Sequence, residues 1–218
     1  MPKGSEELTN ARKEEIIRAC ASLYETMSFK DITIKEIGAV TSFTRTSIYN
    51  YFQTKEEIFL ALLQQEYEKW ISDLDEVTAR HESLTDDELA SELAHSLERR
   101  VLLLKLMSMN HYDMEENSRI ERLVEFKVAY GNSIRALSRL LEKFRPWMEP
   151  ADRQQFLYAF LPFVYGVYPY TVVTEKQKEA MEKAGTNFVY MSIYEMVYAC
   201  TKRLLAGGGH NFYYQTGG

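Results

Sequence analysis

Between Thr33 and Lys55 the chain reads TIKEIGAVTSFTRTSIYNYFQTK, a run in which hydroxyl, amide and cationic side chains recur at helical spacing. On a helix opening at Thr44, the residues Arg45, Thr46, Tyr49 and Asn50 share one outward face. Those side-chain types suit base edges and phosphates, as a helix entering a DNA major groove requires. Lys55 falls at the start of a further helix, beside free amides and the positive end of the helix dipole, where a phosphate meets both charge and N–H donors. Thr33 and Thr44, at the starts of two short helices, offer phosphate contacts of the same kind. The chemistry indicated is binding, not bond making.

Covalent chemistry has little to stand on. The four histidines, His81, His95, His111 and His210, fall in no Ser-His-Asp order, and neither a phosphate-cradling glycine loop nor a nucleophile elbow is present. His111, Asp113 and Glu115 step by two residues and so do not align on one helical face, which argues against a metal site. Cys20 and Cys200 stand far apart, in no metal or redox spacing, and read as two reduced thiols. The expectation is a chain that is not an enzyme and takes no cofactor and no metal.

The elements that would position the Thr33–Lys55 run are helices. A first helix is expected from about Asn10 to Met27, with Ile17, Cys20, Tyr24 and Met27 along one face. Thr33 and Glu36 form a capping-box pattern opening a second helix that ends near Val40, and a third runs from Thr44 to near Tyr51. Two short helices joined by a tight turn pack closely. Ile37, Phe43, Ile48 and Tyr51 supply the apolar contacts, and Gly38 the small residue at the crossing. Thr54 with Glu57 opens a long fourth helix carrying Phe59, Leu62, Leu63, Tyr67, Trp70, Leu74 and Val77.

Beyond it, Thr85 with Glu88 caps a fifth helix in which Leu89, Leu93, Leu97, Val101 and Leu104 recur on one side. The stretch MSMNHYDMEEN breaks the pattern as a loop or a short helix. A segment from Ser118 stops at Pro146, another opens at Pro150, a short one capped by Thr174 closes at Gly185, and a last helix runs from about Asn187 to Leu205. No strand-like alternation competes, so the fold class expected is all-α.

Composition agrees. With 45% hydrophobic residues, five prolines and ten glycines in 218 residues, a sizeable helical core is available. The net charge of −6 looks wrong for a DNA binder until it is divided by position. The first 55 residues hold eight Lys and Arg against seven Asp and Glu, so the acidity belongs to the remainder. Any contact with DNA therefore depends on where the charges are placed. Phe156 to Val173 is uncharged over 18 residues, yet Pro162, Gly166 and Pro169 favour a buried or subunit-facing helix over a membrane span. The polar opening MPKGSEELTNARKEE is no signal sequence, and a cytoplasmic location is expected.

The stretch ITIKEIGAVTSFTRTSIYNYFQTKEEIFLALL, placed after one amphipathic helix and followed by roughly 150 helical residues, resembles the TetR (tetracycline-repressor) family of transcriptional regulators. The matching elements are Ile34, Ile37, Phe43, Ile48, the Tyr49 and Phe52 pair, and Lys55 with its following acidic-apolar run. The detailed likeness covers about residues 10–63; the rest matches only in length and helicity. The resemblance implies a helix-turn-helix DNA-binding domain, a helical ligand-binding domain and dimers formed through the last two long helices. The function implied is a ligand-responsive repressor on a pseudo-palindromic operator. Two positions depart from the pattern. Ser42 stands where the family often has glycine, so a left-handed backbone there would be strained. Thr46 stands where glycine or alanine is common and adds a polar group to the DNA face.

On this reading residues 1–56 form the DNA-binding domain, 57–206 the effector-binding and dimerisation domain, and 207–218 a flexible Gly-rich tail. The aromatic- and methionine-rich second part offers Trp70, Met107, Tyr130 and Phe163 for a small apolar or aromatic effector, although such stripes more often form core. Segments 150–173 and 187–205 are the least charged long helices, with Phe160, Ile193 and Val197 expected at the dimer interface. The partners expected are double-stranded operator DNA, a second copy and a small effector, with no membrane. The competing reading is a helical interaction protein whose helix-turn-helix no longer grips DNA, favoured by the near-neutral N-terminal part.

Overall fold

A computed structural model describes residues 3–109 and 111–207; the tail beyond Gly207, with His210, lies outside them. All regular structure among the described residues is helical. Eleven helices follow in order: α1 (Lys3–Thr26), α2 (Ile34–Ala39), α3 (Arg45–Ile48), α4 (Lys55–Arg80), α5 (Asp86–Glu98), α6 (Val101–Met107), α7 (His111–Glu116), α8 (Ile120–Phe144), α9 (Pro150–Thr171), α10 (Glu175–Lys183) and α11 (Ile193–Ala206). They group into two compact units, each discontinuous in sequence. Met1–Glu68 with Asn110–Gly131 make the first, and Lys69–Met109 with Asn132–Gly218 the second.

The first unit is built around isoleucines and aromatics that the amphipathic pattern turns inward. Ile16, Cys20, Ile32, Ile37, Ile48, Phe52, Phe59 and Leu63 are all buried. Tyr24 and Phe29 meet Phe59 edge to face at 5.1 and 4.8 Å, the geometry the ring quadrupole prefers. Each large apolar side chain so buried stabilises the unit by about 1.5–3 kcal/mol.

Residues 110–131 join this unit, although a single sequence break near residue 56 would assign them elsewhere. Buried Met114, Phe126 and Ala129 contribute, and a polar clamp joins them. Glu57, in the first turn of α4, is fully buried, and its carboxylate accepts from Arg119 Nε at 2.6 Å and Nη2 at 2.8 Å. It also accepts from the backbone N–H groups of Gln53 at 2.8 Å and Arg119 at 3.1 Å. A buried charge needs such saturation. Burial alone pushes Glu57 up, but the hydrogen bonds from Arg119 and Gln53 outweigh it and hold the carboxyl below its ordinary value.

In the second unit α11 packs on α5 and α9, and α6 on α9. Leu89, Leu93 and Leu97 of α5 and Ile193, Val197 and Thr201 of α11 are buried, as are Phe156, Phe160, Val164 and Val167 of α9. The indole N–H of Trp70 donates to Ser96 Oγ at 3.0 Å, satisfying the one polar atom of a fully buried ring.

Several helix ends differ from expectation for identifiable reasons. The expected fifth helix is two, because Arg100 leaves helical geometry (φ −111°, ψ 47°) and forks onto Asp73 at 2.6 and 2.7 Å. The stretch around His111 contains the short helix α7. The last helix starts at Ile193, not near Asn187, because Ser192 and Glu195 form a reciprocal capping box there. Gly185 closes α10 with φ +67°: its N–H meets Glu182 O, and the Thr186 N–H meets Met181 O, the paired bonds of a Schellman motif. No single helix among the described residues is long and apolar enough to cross a membrane. α9 and α10 reach that measure only jointly, across an 85° bend.

Candidate nucleic-acid interface

α2 and α3 pack against each other in the first unit through Ile37 and Ile48, both fully buried. A Cβ on Gly38 would stand 3.5 Å from Arg45 N and from Ile48 Cδ1, an ordinary contact, so the crossing has room for alanine but not for a long side chain. Thr33 caps α2 by accepting from Lys35 N–H at 3.2 Å, and its hydroxyl also meets the Glu36 carboxylate. That bond is the main reason Glu36 is held below the usual carboxylate range. Thr44 caps α3 by accepting from Ser47 N–H at 3.3 Å. α3 is regular only over Arg45–Ile48, but its turns continue as Asn50 N–H meets Ser47 O and Tyr51 N–H meets Ile48 O.

The turn between α2 and α3 corrects one expectation. No residue other than glycine has a positive φ among those described, so Ser42 is not strained. Its N–H donates to Glu15 Oε1 of α1 at 2.6 Å, and this backbone hydrogen bond is the leading cause that holds Glu15 below its ordinary value. Serine replaces a left-handed glycine at no steric cost because the chain takes another path here.

The outward face of α3 carries exposed Arg45, Thr46, Tyr49 and Asn50. The Arg45 guanidinium lies over the Tyr49 ring at 5.8 Å and donates to its hydroxyl at 3.2 Å, a cation–π pair that stiffens a long side chain. Lys55 sits at the first position of α4 as expected, but its ammonium turns inward. It donates to the Phe29 carbonyl at 2.7 Å and stands 4.2 Å from the Phe29 ring centre. An ammonium has three donors, so this anchoring leaves two for a phosphate.

A surface recess of about 390 Å³ brings Thr33, Arg45, Tyr49 and Lys55 together, along with Ile34, Lys35, Thr54 and Glu56. Thr44, Thr46 and Asn50 do not line it. Lys35 and Thr54 escaped the sequence reasoning, and their signal was position: each lies in or next to the first turn of a helix whose N-terminus faces the recess. Three cations against one carboxylate make the recess locally positive in a domain that is nearly neutral as a whole.

The other candidate residues are placed differently. Trp70, Met107 and Phe163 belong to the second unit and Tyr130 to the first, where it meets Tyr67 edge-on at 5.9 Å. Trp70 and Met107 are fully buried and Phe163 half-buried. One recess of the second unit, about 260 Å³, is lined by Tyr170, Met181, Phe188 and Tyr190 among others, and by none of these four. Phe160, Ile193 and Val197 are buried inside the protomer, packed among α5, α9 and α11. The apolar side chains left exposed on this unit instead include Trp147 and Tyr158, 69% and 68% exposed, with Tyr170, Val189 and Tyr190.

Comparison with known proteins places this arrangement. Residues 16–62 match the family model described as "Bacterial regulatory proteins, tetR family", and residues 64–207 match "Tetracyclin repressor-like, C-terminal domain". An uncharacterized HTH-type transcriptional regulator, YfiR, of Bacillus subtilis (strain 168) is 28% identical over 83 residues, which is 38% of this chain and 40% of that protein. The matched stretch thus spans two fifths of this curated relative.

Among solved structures, a TetR-family transcriptional regulator from Mesorhizobium loti superposes with a TM-score of 0.57 at 13% identity, covering 91% of this chain and 96% of that one. FadR of Thermus thermophilus, a TetR-family repressor solved with lauroyl-CoA, gives 0.56 at 17% identity, covering 94% and 100%. At those identities the likeness is one of fold. With both halves matched in chain order and the helix-turn-helix in place, the chain belongs to the tetR family of bacterial regulatory proteins, DNA-binding regulators of transcription and not enzymes.

Proposed function

We propose that this chain is a ligand-responsive repressor that binds a pseudo-palindromic operator in double-stranded DNA as a homodimer. The observation that supports this most is the positive recess beside α3, where Lys35, Arg45 and Lys55 meet the N-terminus of α4. In this reading Arg45, Thr46, Tyr49 and Asn50 face the major groove, with Arg45 and Asn50 at base edges, while Thr33, Thr44 and Lys55 hold phosphates. Residues 1–56 carry the DNA-binding function and 57–206 the effector and dimer functions, followed by a Gly-rich tail over 207–218. Dimers form through the exposed faces of α9 and α11, and two-fold symmetry sets the recognition helices about one DNA turn apart or a multiple of it. The effector is small and apolar or aromatic, taken up by the aromatic- and methionine-rich second part of the chain; the lauroyl-CoA bound by the Thermus repressor shares with it only an apolar acyl chain, attached there to a charged nucleotide. Operator binding of this kind places the protein in the cytoplasm.

The test is anisotropy of a labelled duplex spanning the DNA upstream of the protein's own coding sequence, over a salt series. Arg45→Ala should weaken specific binding by roughly 1–3 kcal/mol. Lys55→Ala should weaken binding to all duplexes and lower the salt slope by about one charge. Parent-like binding by both variants would refute the assignment. A parent that itself shows no preference for the duplex would favour the reading with one observation behind it, the inward-turned Lys55 ammonium: a helical interaction protein whose helix-turn-helix does not hold DNA.

A further inference from the structure

α3 has a single regular turn, too short to hold its own orientation, and its last carbonyls are met only by the N–H groups of Tyr49 to Phe52 just beyond it. The Tyr51 carbonyl, at the end of this turn, is met by two guanidinium groups from a segment 68 and 71 residues downstream. Arg119 Nη2 donates to it at 3.3 Å and Arg122 Nη2 at 3.4 Å. Arg119 is itself fixed by its fork on buried Glu57, which also takes the Gln53 N–H. Arg122 lies over the Phe52 ring at 5.4 Å, and Thr54 Oγ1 donates to Asn117 O at 2.9 Å. Residues 51–57, the joint between the proposed recognition helix and α4, are thus gripped at five points by residues 117–122.

From this we infer that Arg119, assisted by Arg122, is a positioning residue for DNA recognition: it touches no DNA but fixes the angle at which α3 presents Arg45, Tyr49 and Asn50. The inference rests on the DNA-binding reading above. Only arginine fits the role at 119. Its planar fork serves both carboxylate oxygens of Glu57 and still reaches the Tyr51 carbonyl, whereas the point charge of lysine satisfies Glu57 alone.

Arg119→Lys and Arg122→Lys test this on the intact protein, with Arg139→Lys as the control, since Arg139, farther along α8, makes an exposed pair with Asp75. Arg122→Lys leaves the Glu57–Arg119 pair whole and so guards against an Arg119 variant that fails to fold. Hydrogen exchange should quicken by roughly tenfold, the scale of one charge-assisted hydrogen bond, at the amides of residues 50–53 in both arginine variants. The amides of α5 and α11 should keep parent rates. On the duplex upstream of the coding sequence, affinity should fall by roughly tenfold, while affinity for a random duplex changes little. A variant that merely loses stability would lower its active fraction on both duplexes equally.

Unchanged exchange at residues 50–53 overturns the inference without reference to DNA. Quickened exchange with an unaltered ratio between the two duplexes overturns it as well. A parent that prefers neither duplex refutes the DNA-binding reading and this role with it, an outcome distinguished by exchange rates that still report a gripped helix end.

Discussion

Replacing Glu57 with glutamine keeps the shape of the side chain and removes its charge, and the size of the effect follows from the contacts. The carboxylate accepts four N–H groups: two from the Arg119 fork and the backbone amides of Gln53 and Arg119. An amide offers one acceptor oxygen and turns an NH₂ group toward the remaining donors. Two hydrogen bonds to a charged group are therefore lost, each worth about 1.5–3 kcal/mol. Against this, the carboxylate no longer has to be desolvated, and Arg119, 39% exposed, regains water. The net destabilisation is about 2–4 kcal/mol. At about 2–4 °C per kcal/mol for a chain of this size, the melting temperature falls by on the order of 5–15 °C.

The pH dependence supplies a second signature. A carboxyl whose folded pKa is depressed contributes stability that is present above its unfolded value and is lost as pH falls through the folded one. Thermal unfolding by circular dichroism between pH 7 and 3 should show the parent losing stability below about pH 4.5, the ordinary glutamate value, with a shallower loss in Glu57→Gln. Equal melting temperatures at pH 7 together with parallel acid slopes would refute the reasoning, because the pair would then contribute nothing to the fold.

Three further outcomes are expected. Ser42→Gly should be neutral or destabilising by up to about 1 kcal/mol, since only unfolded-chain entropy changes at an unstrained position; a rise in urea midpoint would show strain at Ser42 after all. Ile193→Arg should unfold the second unit, because Ile193 is buried in the protomer, whereas Tyr158→Arg on the exposed face of α9 should split a dimer with helicity intact. Light scattering with circular dichroism separates these, and a folded Ile193→Arg monomer would reverse the assignment. Cys20, whose thiol burial pushes up to about 12, should resist iodoacetamide in the native protein at pH 8, and rapid labelling would contradict its burial.

The fold and the outward face of α3 were legible because helical spacing and capping patterns are local. Thr33, Thr44, Thr85 and Thr174 all cap the helices they were expected to open. What was not legible depends on partners distant in sequence. The break at Arg100 is invisible in the run of leucines from Leu89 to Leu104, since it exists to reach Asp73. The inward turn of Lys55 needs the Phe29 carbonyl, 26 residues earlier. Phe160, Ile193 and Val197 read as interface because an apolar helix must be covered, and periodicity cannot say whether the cover is the same chain or another. The box at Ser192 and Glu195, like the helix-start positions of Lys35 and Thr54, is by contrast a local signal.

The pairing of Glu57 with Arg119 also sets an order of events during synthesis. At roughly 5–20 residues per second, the 62 residues between them separate their emergence by about 3–12 s. Throughout that interval Glu57 can be accommodated only in water, so the N-terminal helices cannot close over it in their final form. The part of the chain meant to touch DNA therefore matures late, once α7 and the three residues beyond it have left the ribosome. A nascent chain cannot present a finished recognition helix until more than half of its residues have been made.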